Sequence, residues 1–118
     1  MHPDLTPLQH IDELEQLLHE STQRPLLLFK HSYSCGISAE ALDELLEHLK
    51  SERSEAMRYA MVTVQTHRDV SNAVAQKLGV RHETPQALMI RDRRVVWAAS
   101  HFRVTAKAVD AAIKAAAQ

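Results

Sequence analysis

The chain has 118 residues, 45% of them apolar, and 14 Lys and Arg against 15 Asp and Glu. This length suits one ordinary domain, and the balanced charge without a basic patch argues against nucleic-acid binding. The unbroken apolar runs, such as Leu26 to Phe29, are too short to span a bilayer, and no signal peptide is recognisable. A single cysteine excludes an internal disulfide, so we expect one domain over residues 1–118, located in the cytoplasm.

The first half of the chain alternates helix and strand. Thr6 before Pro7 is typical of a helix start, and leucines then recur at helical spacing. Short apolar runs bounded by polar residues indicate strands that are buried on both faces. The predicted elements here are a helix from Pro7 to about Glu20, a strand from Leu26 to Phe29, a helix from Cys35 to about Lys50, and a strand from Tyr59 to Val64.

The second half adds a helix, a hairpin and a final helix. Gly79 is well placed to end the first of these helices, and Thr105 to cap the last one. The elements are a helix from Asp69 to Leu78, strands Pro85–Ile90 and Val95–Ala99, and a helix after Thr105. A βαβ unit is parallel and a hairpin antiparallel, so this order predicts an α/β fold. It is the thioredoxin-like arrangement, a four-stranded mixed sheet flanked by helices on both faces.

Cys35 is the first candidate for chemistry. It lies where a buried strand has ended and a helix begins, and unpaired backbone N–H groups and the positive end of the helix dipole meet there. Both favour the thiolate, which is the nucleophilic form of cysteine. Lys30 and His31 precede it and could add positive charge. The alternative is an inert buried cysteine, and the polar surroundings favour the reactive interpretation.

Thr84 and Pro85 form the second candidate. A proline is tolerated at the first position of a strand on ordinary grounds. In thioredoxin-fold proteins, however, the proline at this place is cis and faces the active-site cysteine. We therefore expect a cis Thr84–Pro85 bond against Cys35. The backbone of Thr84 would then be free to pair with an extended thiol ligand or peptide.

Several segments together resemble the monothiol bacilliredoxin family (YtxJ-like), in that family's order and spacing. They are Phe29-Lys30-His31-Ser32, Cys35-x-Ile37-Ser38, Gly79-Val80-x-His82-Glu83-Thr84-Pro85-Gln86 and Val95-Val96-Trp97-x-Ala99-Ser100-His101. The typical active-site tetrapeptide of the family is Cys-Pro-Ile-Ser, and this chain has Gly36 in place of the proline. Glycine loosens the first helical turn and weakens the anchoring of the cysteine.

The same tetrapeptide nearly matches Cys-Gly-Phe-Ser, the motif of monothiol glutaredoxins, which hold an iron–sulfur cluster between two subunits with glutathione as a ligand. This chain lacks the Gly-Gly and Cys-Asp elements of those proteins. It also has Leu27 where they have a lysine, eight residues before the cysteine. The resemblance to bacilliredoxins extends over four separate segments of the chain, so we favour that family over the glutaredoxins, which match at four residues only.

Several other residues are expected near the cysteine, and for some of them two roles are possible. Those expected to bind the thiol substrate or support the thiolate are Lys30, His31, Ser34, Gly36, Ser38, Thr84 and Pro85. The Ser38 hydroxyl could hydrogen-bond the thiolate or be an ordinary first-turn serine. His31 could assist proton transfer or simply pack at a strand end. His82 and Glu83 could border the same groove, and Trp97 and Phe102 are expected in the core.

The resemblance implies removal of bacillithiol, a low-molecular-weight thiol, from modified protein cysteines, with Cys35 as the attacking thiolate. The expected partners are bacillithiol as co-substrate, S-bacillithiolated proteins and a reductase. No bound cofactor, metal, nucleic acid or membrane is expected. The alternatives are an iron–sulfur carrier of the monothiol glutaredoxin type and a non-catalytic thioredoxin-fold adaptor.

Overall fold

The computed structural model describes residues 4–116, so residues 1–3 and 117–118 of the predicted domain lie outside the described part. The strands are β1 (Thr6–Pro7), β2 (Leu26–His31), β3 (Arg58–Thr63), β4 (Gln86–Arg91) and β5 (Arg94–Ser100), and the helices are α1 (Ile11–Glu20), α2 (Gly36–Ser51), α3 (Arg68–Leu78) and α4 (Ala106–Ala116). A 3₁₀ turn, His101–Arg103, joins β5 to α4. Between residues 4 and 116, no helix is long and apolar enough to cross a membrane.

The strands form one mixed sheet in the order β1-β3-β2-β4-β5. β1 and β2 run parallel to β3, and β4 runs antiparallel to both β2 and β5. The predicted α/β class and the mixed sheet are confirmed. The predicted number of strands is wrong, because the described sheet has five strands rather than four.

The extra strand is the segment that was expected to start the first helix. Thr6 and Pro7 pair with β3, and the N–H of Leu8 donates to the Met61 carbonyl oxygen at 2.8 Å. Leu5 and Leu8 are both buried but in the cores on opposite faces of the sheet, which an extended chain permits and one helix face does not. α1 therefore begins only at Ile11.

Each face of the sheet carries its own apolar core, because successive strand residues point to opposite sides. In β2, Leu27 and Phe29 pack with residues of α2 and α4, whereas Leu26 and Leu28 pack with residues of α1 and α3. This double burial explains the unbroken apolar run in the sequence. The first polar side chains of β2 come at its carboxyl end, which is where the candidate site lies.

The β4–β5 hairpin turns through two residues with positive φ, Asp92 (52°) and Arg93 (64°). A type I′ turn requires positive φ at both central positions, although the sequence carries no Asn-Gly or Asp-Gly signal. The end of α1 supports the turn, since Asp92 N–H donates to the Ser21 carbonyl oxygen and Arg93 N–H to the Ser21 hydroxyl oxygen, both at 2.9 Å.

Two predicted helix ends are confirmed and one core assignment is wrong. Gly79 ends α3 in the left-handed conformation, and the Thr105 hydroxyl accepts the N–H of Ala108 at 3.1 Å. Trp97 packs against the core as expected. Phe102 does not, because the 3₁₀ turn after β5 leaves its side chain 70% exposed. The turn begins at His101, whose φ is positive at 56°.

Candidate active site

Cys35 is the N-cap residue of α2. Its backbone is extended (φ −119°, ψ 121°), its N–H donates to the Ser32 carbonyl oxygen at 3.3 Å, and its carbonyl accepts the N–H of Ala39 at 3.1 Å. The residue is partly exposed. The first N–H groups of a helix lack partners within the helix and mark the positive end of its dipole, so the Cys35 sulfur lies at a helix end that attracts negative charge.

Ser38 ties the first turn of α2 to the end of β2. Its hydroxyl is fully buried, accepts the N–H of Ser32 at 2.9 Å and lies 2.8 Å from Nδ1 of His31. Burial lowers the pKa of His31, so its ring is neutral at pH 7 and the Ser38 O–H can donate to Nδ1. These bonds position the chain on both sides of Cys35. The lowered pKa makes a positive charge on His31 less favourable, and both that charge and a direct bond from Ser38 to the thiolate stay predictions.

Gln65 holds the loop before Cys35 from the neighbouring strand, a role that the sequence did not reveal. Its side-chain amide donates to the hydroxyl oxygens of Ser32 at 2.6 Å and Ser34 at 2.9 Å, and its carbonyl accepts the N–H of Tyr33 at 3.3 Å. β2 and β3 are parallel, so their carboxyl ends meet at one edge of the sheet. A polar residue just after β3 was therefore the available signal.

Lys30 lies beside the site but on the other face of the sheet. It alternates with His31, which contacts α2, and so it points toward the α1–α3 side. Its side chain is fully buried, and Nζ lies 3.0 Å from Nδ1 of His82. Burial lowers the pKa of Lys30 to about 8. Burial, followed by the charge of Lys30, lowers the pKa of His82. Support of the thiolate by Lys30 stays a prediction.

The Thr84–Pro85 peptide bond is cis. Pro85 is buried, and its carbonyl accepts the N–H of His101 at 3.0 Å. The next residue, Gln86, is paired with Lys30 across β4 and β2, which places Pro85 near the end of β2 from which the chain continues to Cys35. Contact between Pro85 and Cys35 stays a prediction. Within residues 4–116, the structure gives Thr84 no hydrogen bond, which leaves its backbone open to a ligand.

The remaining predicted residues divide between the start of α2 and the loop before β4. Ser34 and Gly36 flank Cys35, and both are exposed. Glu83 lies beside Thr84, and its carboxylate accepts a 2.6 Å hydrogen bond from the Ser100 hydroxyl, which lowers its pKa. No group of three His, Cys, Asp or Glu side chains in the described range 4–116 is placed to hold a metal ion.

The geometry therefore presents one partly exposed thiol at a helix start, with the cis-proline loop on the strand next to β2. The chain is similar, at 31% identity and a TM-score of 0.81, to a solved structure described as a candidate oxidoreductase with a thioredoxin fold, over 93% of this chain and 94% of that one. It shares its fold with Fasciola hepatica thioredoxin (16% identity, TM-score 0.74, 94% and 98% covered). The same holds for a chain from a complex of ferredoxin:thioredoxin reductase and thioredoxin f2 (21% identity, TM-score 0.73, 98% and 96% covered).

The model of one protein family, described as monothiol bacilliredoxin BrxC, matches residues 6–109. The matched range includes Cys35, the loop bound by Gln65 and the cis Thr84–Pro85 bond. Together with the thioredoxin fold, the match makes this protein a thiol oxidoreductase, and the chain belongs to the monothiol bacilliredoxin family.

Proposed function

We propose that the protein removes bacillithiol from S-bacillithiolated protein cysteines. The Cys35 thiolate attacks the bacillithiol sulfur of the mixed disulfide. A disulfide forms between Cys35 and bacillithiol, the original disulfide breaks, and the substrate cysteine leaves as a thiolate that takes a proton from solvent. One disulfide replaces another, so this step needs no external oxidant or reductant.

One observation supports this proposal most: the single cysteine of a bacilliredoxin-family chain is partly exposed at the first turn of a helix. A thiol in this position is available to a disulfide on another protein, and the helix start attracts the negative charge of an attacking sulfur. The open backbone of Thr84 offers the substrate an extended segment to pair with, in the manner of strand addition.

Turnover requires a second thiol, because the chain has no other cysteine to resolve the adduct. A further bacillithiol molecule attacks the Cys35–bacillithiol disulfide, leaves as bacillithiol disulfide and restores the Cys35 thiolate. A dithiol reductase performs the same reset with its own two sulfurs. A reducing compartment such as the cytoplasm keeps the single thiol free.

The test is transfer from a peptide whose one cysteine carries bacillithiol, followed by intact-protein mass spectrometry. Without added thiol, the chain is expected to gain one bacillithiol on Cys35 and then stop near one equivalent. Cys35→Ser is expected to abolish transfer, because a hydroxyl is a far weaker nucleophile at neutral pH. A peptide carrying glutathione serves as the matched substrate.

Two outcomes would contradict the proposal. Rapid clearance of glutathione while bacillithiol stays on the peptide would favour chemistry of the glutaredoxin type. Failure on both peptides by a folded, reduced protein would favour a cluster carrier or an adaptor, and anaerobic purification would then separate the two, since a cluster carrier is coloured and dimeric.

A further inference from the structure

Two clefts lie on either side of the exposed His101–Phe102 ridge. The first, which we call the basic cleft, has a volume of about 620 Å³ and is lined by Arg81, Glu83, Gln86, Ser100 and Arg103 among others. The second, the acidic cleft, has a volume of about 380 Å³ and is lined by Ile37, Glu40, Asp43 and Glu44 among others. The basic cleft therefore suits negatively charged ligands, and the acidic cleft suits positively charged ligands.

The basic cleft begins at the cis-proline loop. Glu83 immediately precedes Thr84, and His101 at the other side of the cleft donates its N–H to the Pro85 carbonyl at 3.0 Å. Thr84, whose backbone has no partner in the described structure, lies between the lining residues Glu83 and Gln86 in sequence. Thr84 itself does not line the cleft, but its neighbour Glu83 does, so a ligand that pairs with Thr84 lies next to the cleft.

The charges of the cleft suit an anion. Neither Arg81 nor Arg103 forms an ion pair with a carboxylate in residues 4–116. The one carboxylate in the lining, Glu83, is held by the Ser100 hydroxyl. After the Ser100 hydrogen bond, the charges of His101 and Arg81 also lower the pKa of Glu83, although no ion pair forms. The hydrogen-bonding groups of both arginines are therefore free of carboxylates, and arginine binds a carboxylate through two parallel hydrogen bonds.

Gln86 supplies an independent indication of a ligand. Gln86 is only 4% exposed. Its Nε2 donates to the Arg81 carbonyl at 3.1 Å, which fixes the side-chain amide against the cleft wall. Its Oε1 is buried and has no hydrogen-bond partner in the described structure. Buried side-chain acceptors are nearly always satisfied in native proteins, so this carbonyl oxygen in the cleft wall is an exception that a ligand's hydroxyl or N–H would relieve.

We propose that the basic cleft binds the carboxylate end of the low-molecular-weight thiol carried by the substrate. This inference rests on the proposed function. Bacillithiol consists of cysteine, glucosamine and malate, so two carboxylates lie at the end of the molecule remote from its sulfur. With the sulfur at Cys35, the malate carboxylates meet Arg81 and Arg103, and a sugar hydroxyl donates to Gln86. The exposed Phe102 ring covers the apolar face of the sugar.

The test compares two leaving groups on one peptide: bacillithiol, and 2-mercaptoethanol, which has no carboxylate. The variant is Arg81→Gln/Arg103→Gln. The matched control is Arg94→Gln/Lys114→Gln, which removes the same charge from two exposed positions at the hairpin end of the molecule. We expect KM for the bacillithiol peptide to rise about tenfold or more in the variant and to stay unchanged in the control, since charge-assisted bonds are lost. Transfer from the 2-mercaptoethanol peptide is expected to stay unchanged in both.

An equal loss on both peptides, or no loss on either, would overturn the inference. A second measurement separates this failure from failure of the proposed function. In NMR spectra of Cys35→Ser, the thiol-free fragment glucosaminyl malate is expected to shift the amide signals of Arg81 and of residues 100–103. Shifts without any bacillithiol transfer by the wild type would support the cleft and reject the function. Transfer without such shifts would reject the cleft.

Discussion

At each end of α2 a histidine bonds to a hydroxyl group, but the two surroundings differ. At the C-terminal end, the fully buried His48 has partners on both ring nitrogens: Nδ1 bonds the Asp110 carboxylate, and Nε2 lies 2.8 Å from the Tyr59 hydroxyl. At the N-terminal end, His31 bonds Ser38 through Nδ1 alone among residues 4–116, and its ring is only partly buried. One end is a closed network and the other remains open to solvent.

Beside this open end, on the α1–α3 face of the sheet, lie two buried polar groups that the fold satisfies poorly. Among residues 4–116, the buried Lys30 amine has one histidine as its partner. Gln86, which pairs with Lys30 on the neighbouring strand β4, has a buried side-chain carbonyl without a partner. Burial of polar groups without full compensation costs stability, and proteins tolerate this mainly where function requires it. α2 is therefore anchored at its C-terminal end, whereas the sheet edge near Cys35 combines an exposed site with poorly satisfied polar groups at a cost in stability.

The largest effect is expected at the closed end. His48→Ala removes the histidine that bonds the Asp110 carboxylate, leaves the Tyr59 hydroxyl with the Ser54 N–H alone, and opens a buried cavity. We expect the free energy of unfolding to fall by about 3 kcal/mol. The rate of thiol transfer by the folded fraction is expected to change less than about twofold, because the network is remote from Cys35. Urea denaturation and single-turnover mass spectrometry measure the two quantities.

His19→Ala is the control for this substitution, because His19 is exposed on α1 and its removal is expected to be neutral. A comparable loss of transfer in His48→Ala below its unfolding transition would show that the two ends of α2 are coupled. The contrast between an anchoring end and a reactive end would then fail.

The next effect concerns Lys30 and depends on pH. Burial lowers its pKa from 10.5 to about 8, so the unfolded chain binds more protons than the folded chain between about pH 8 and pH 10.5. The free energy of unfolding of the wild type therefore rises with pH across this window. Lys30→Met removes the slope, and we expect it to be more stable by on the order of 2 to 3 kcal/mol at pH 7.

Urea denaturation at pH 7, 8.5 and 10 measures this difference. The advantage of Lys30→Met should shrink as the pH rises, because the wild-type amine becomes neutral. Lys50→Met, at an exposed position of α2, should show no such trend. An advantage that is equal at all three pH values would mean that packing rather than charge burial is responsible.

A smaller effect is expected for Ser38→Ala at the open end. The change removes the acceptor of the Ser32 N–H and the partner of His31, and we expect a loss of about 1 to 2 kcal/mol in stability. Transfer should slow several-fold at unchanged KM, since the turn that positions Cys35 loosens. Ser51→Ala is the matched control, because the exposed Ser51 hydroxyl bonds only the Glu47 carbonyl among the described residues. Unchanged transfer would limit Ser38 to a purely structural role.

Much of this contrast could be predicted from the sequence, because it depends on local patterns. The strand-to-helix junction at Cys35 follows from apolar runs and helical periodicity, and the αβ order leaves few possible topologies. β1 could not be found in this way, since two residues carry no period and Thr6–Pro7 equally suits a helix start. Thr6–Pro7 becomes a strand because it pairs with β3, which is distant in sequence.

The contacts around the site were less accessible for the same reason. Gln65 reaches Ser32 and Ser34 across more than thirty positions in sequence, and a polar residue after a strand is ordinary in itself. The charge states of His31 and Lys30 depend on burial, which periodicity does not quantify. Phe102 was assigned to the core by residue type, whereas the positive φ of His101 turns the chain outward.

The smallest effect is expected at Gly36, where the typical family motif has proline. Gly36 is the exposed first residue of α2, and a Cβ added there meets no atom within 4 Å. Proline at the first helical position costs no internal hydrogen bond, and it requires an extended preceding residue, which Cys35 is (φ −119°, ψ 121°). We expect Gly36→Pro to raise the free energy of unfolding by about 0.4 to 1 kcal/mol, because proline lowers the conformational entropy of the unfolded chain.

Two substitutions are the controls for Gly36→Pro. Gly79→Ala, at φ 64°, should instead destabilise the protein, and Gly36→Ala keeps the backbone N–H that proline removes. If Gly36→Pro slows formation of the Cys35–bacillithiol adduct and Gly36→Ala does not, the Gly36 N–H donates a hydrogen bond to the thiolate. The glycine at the open end of α2 would then serve the reaction rather than the stability of the fold.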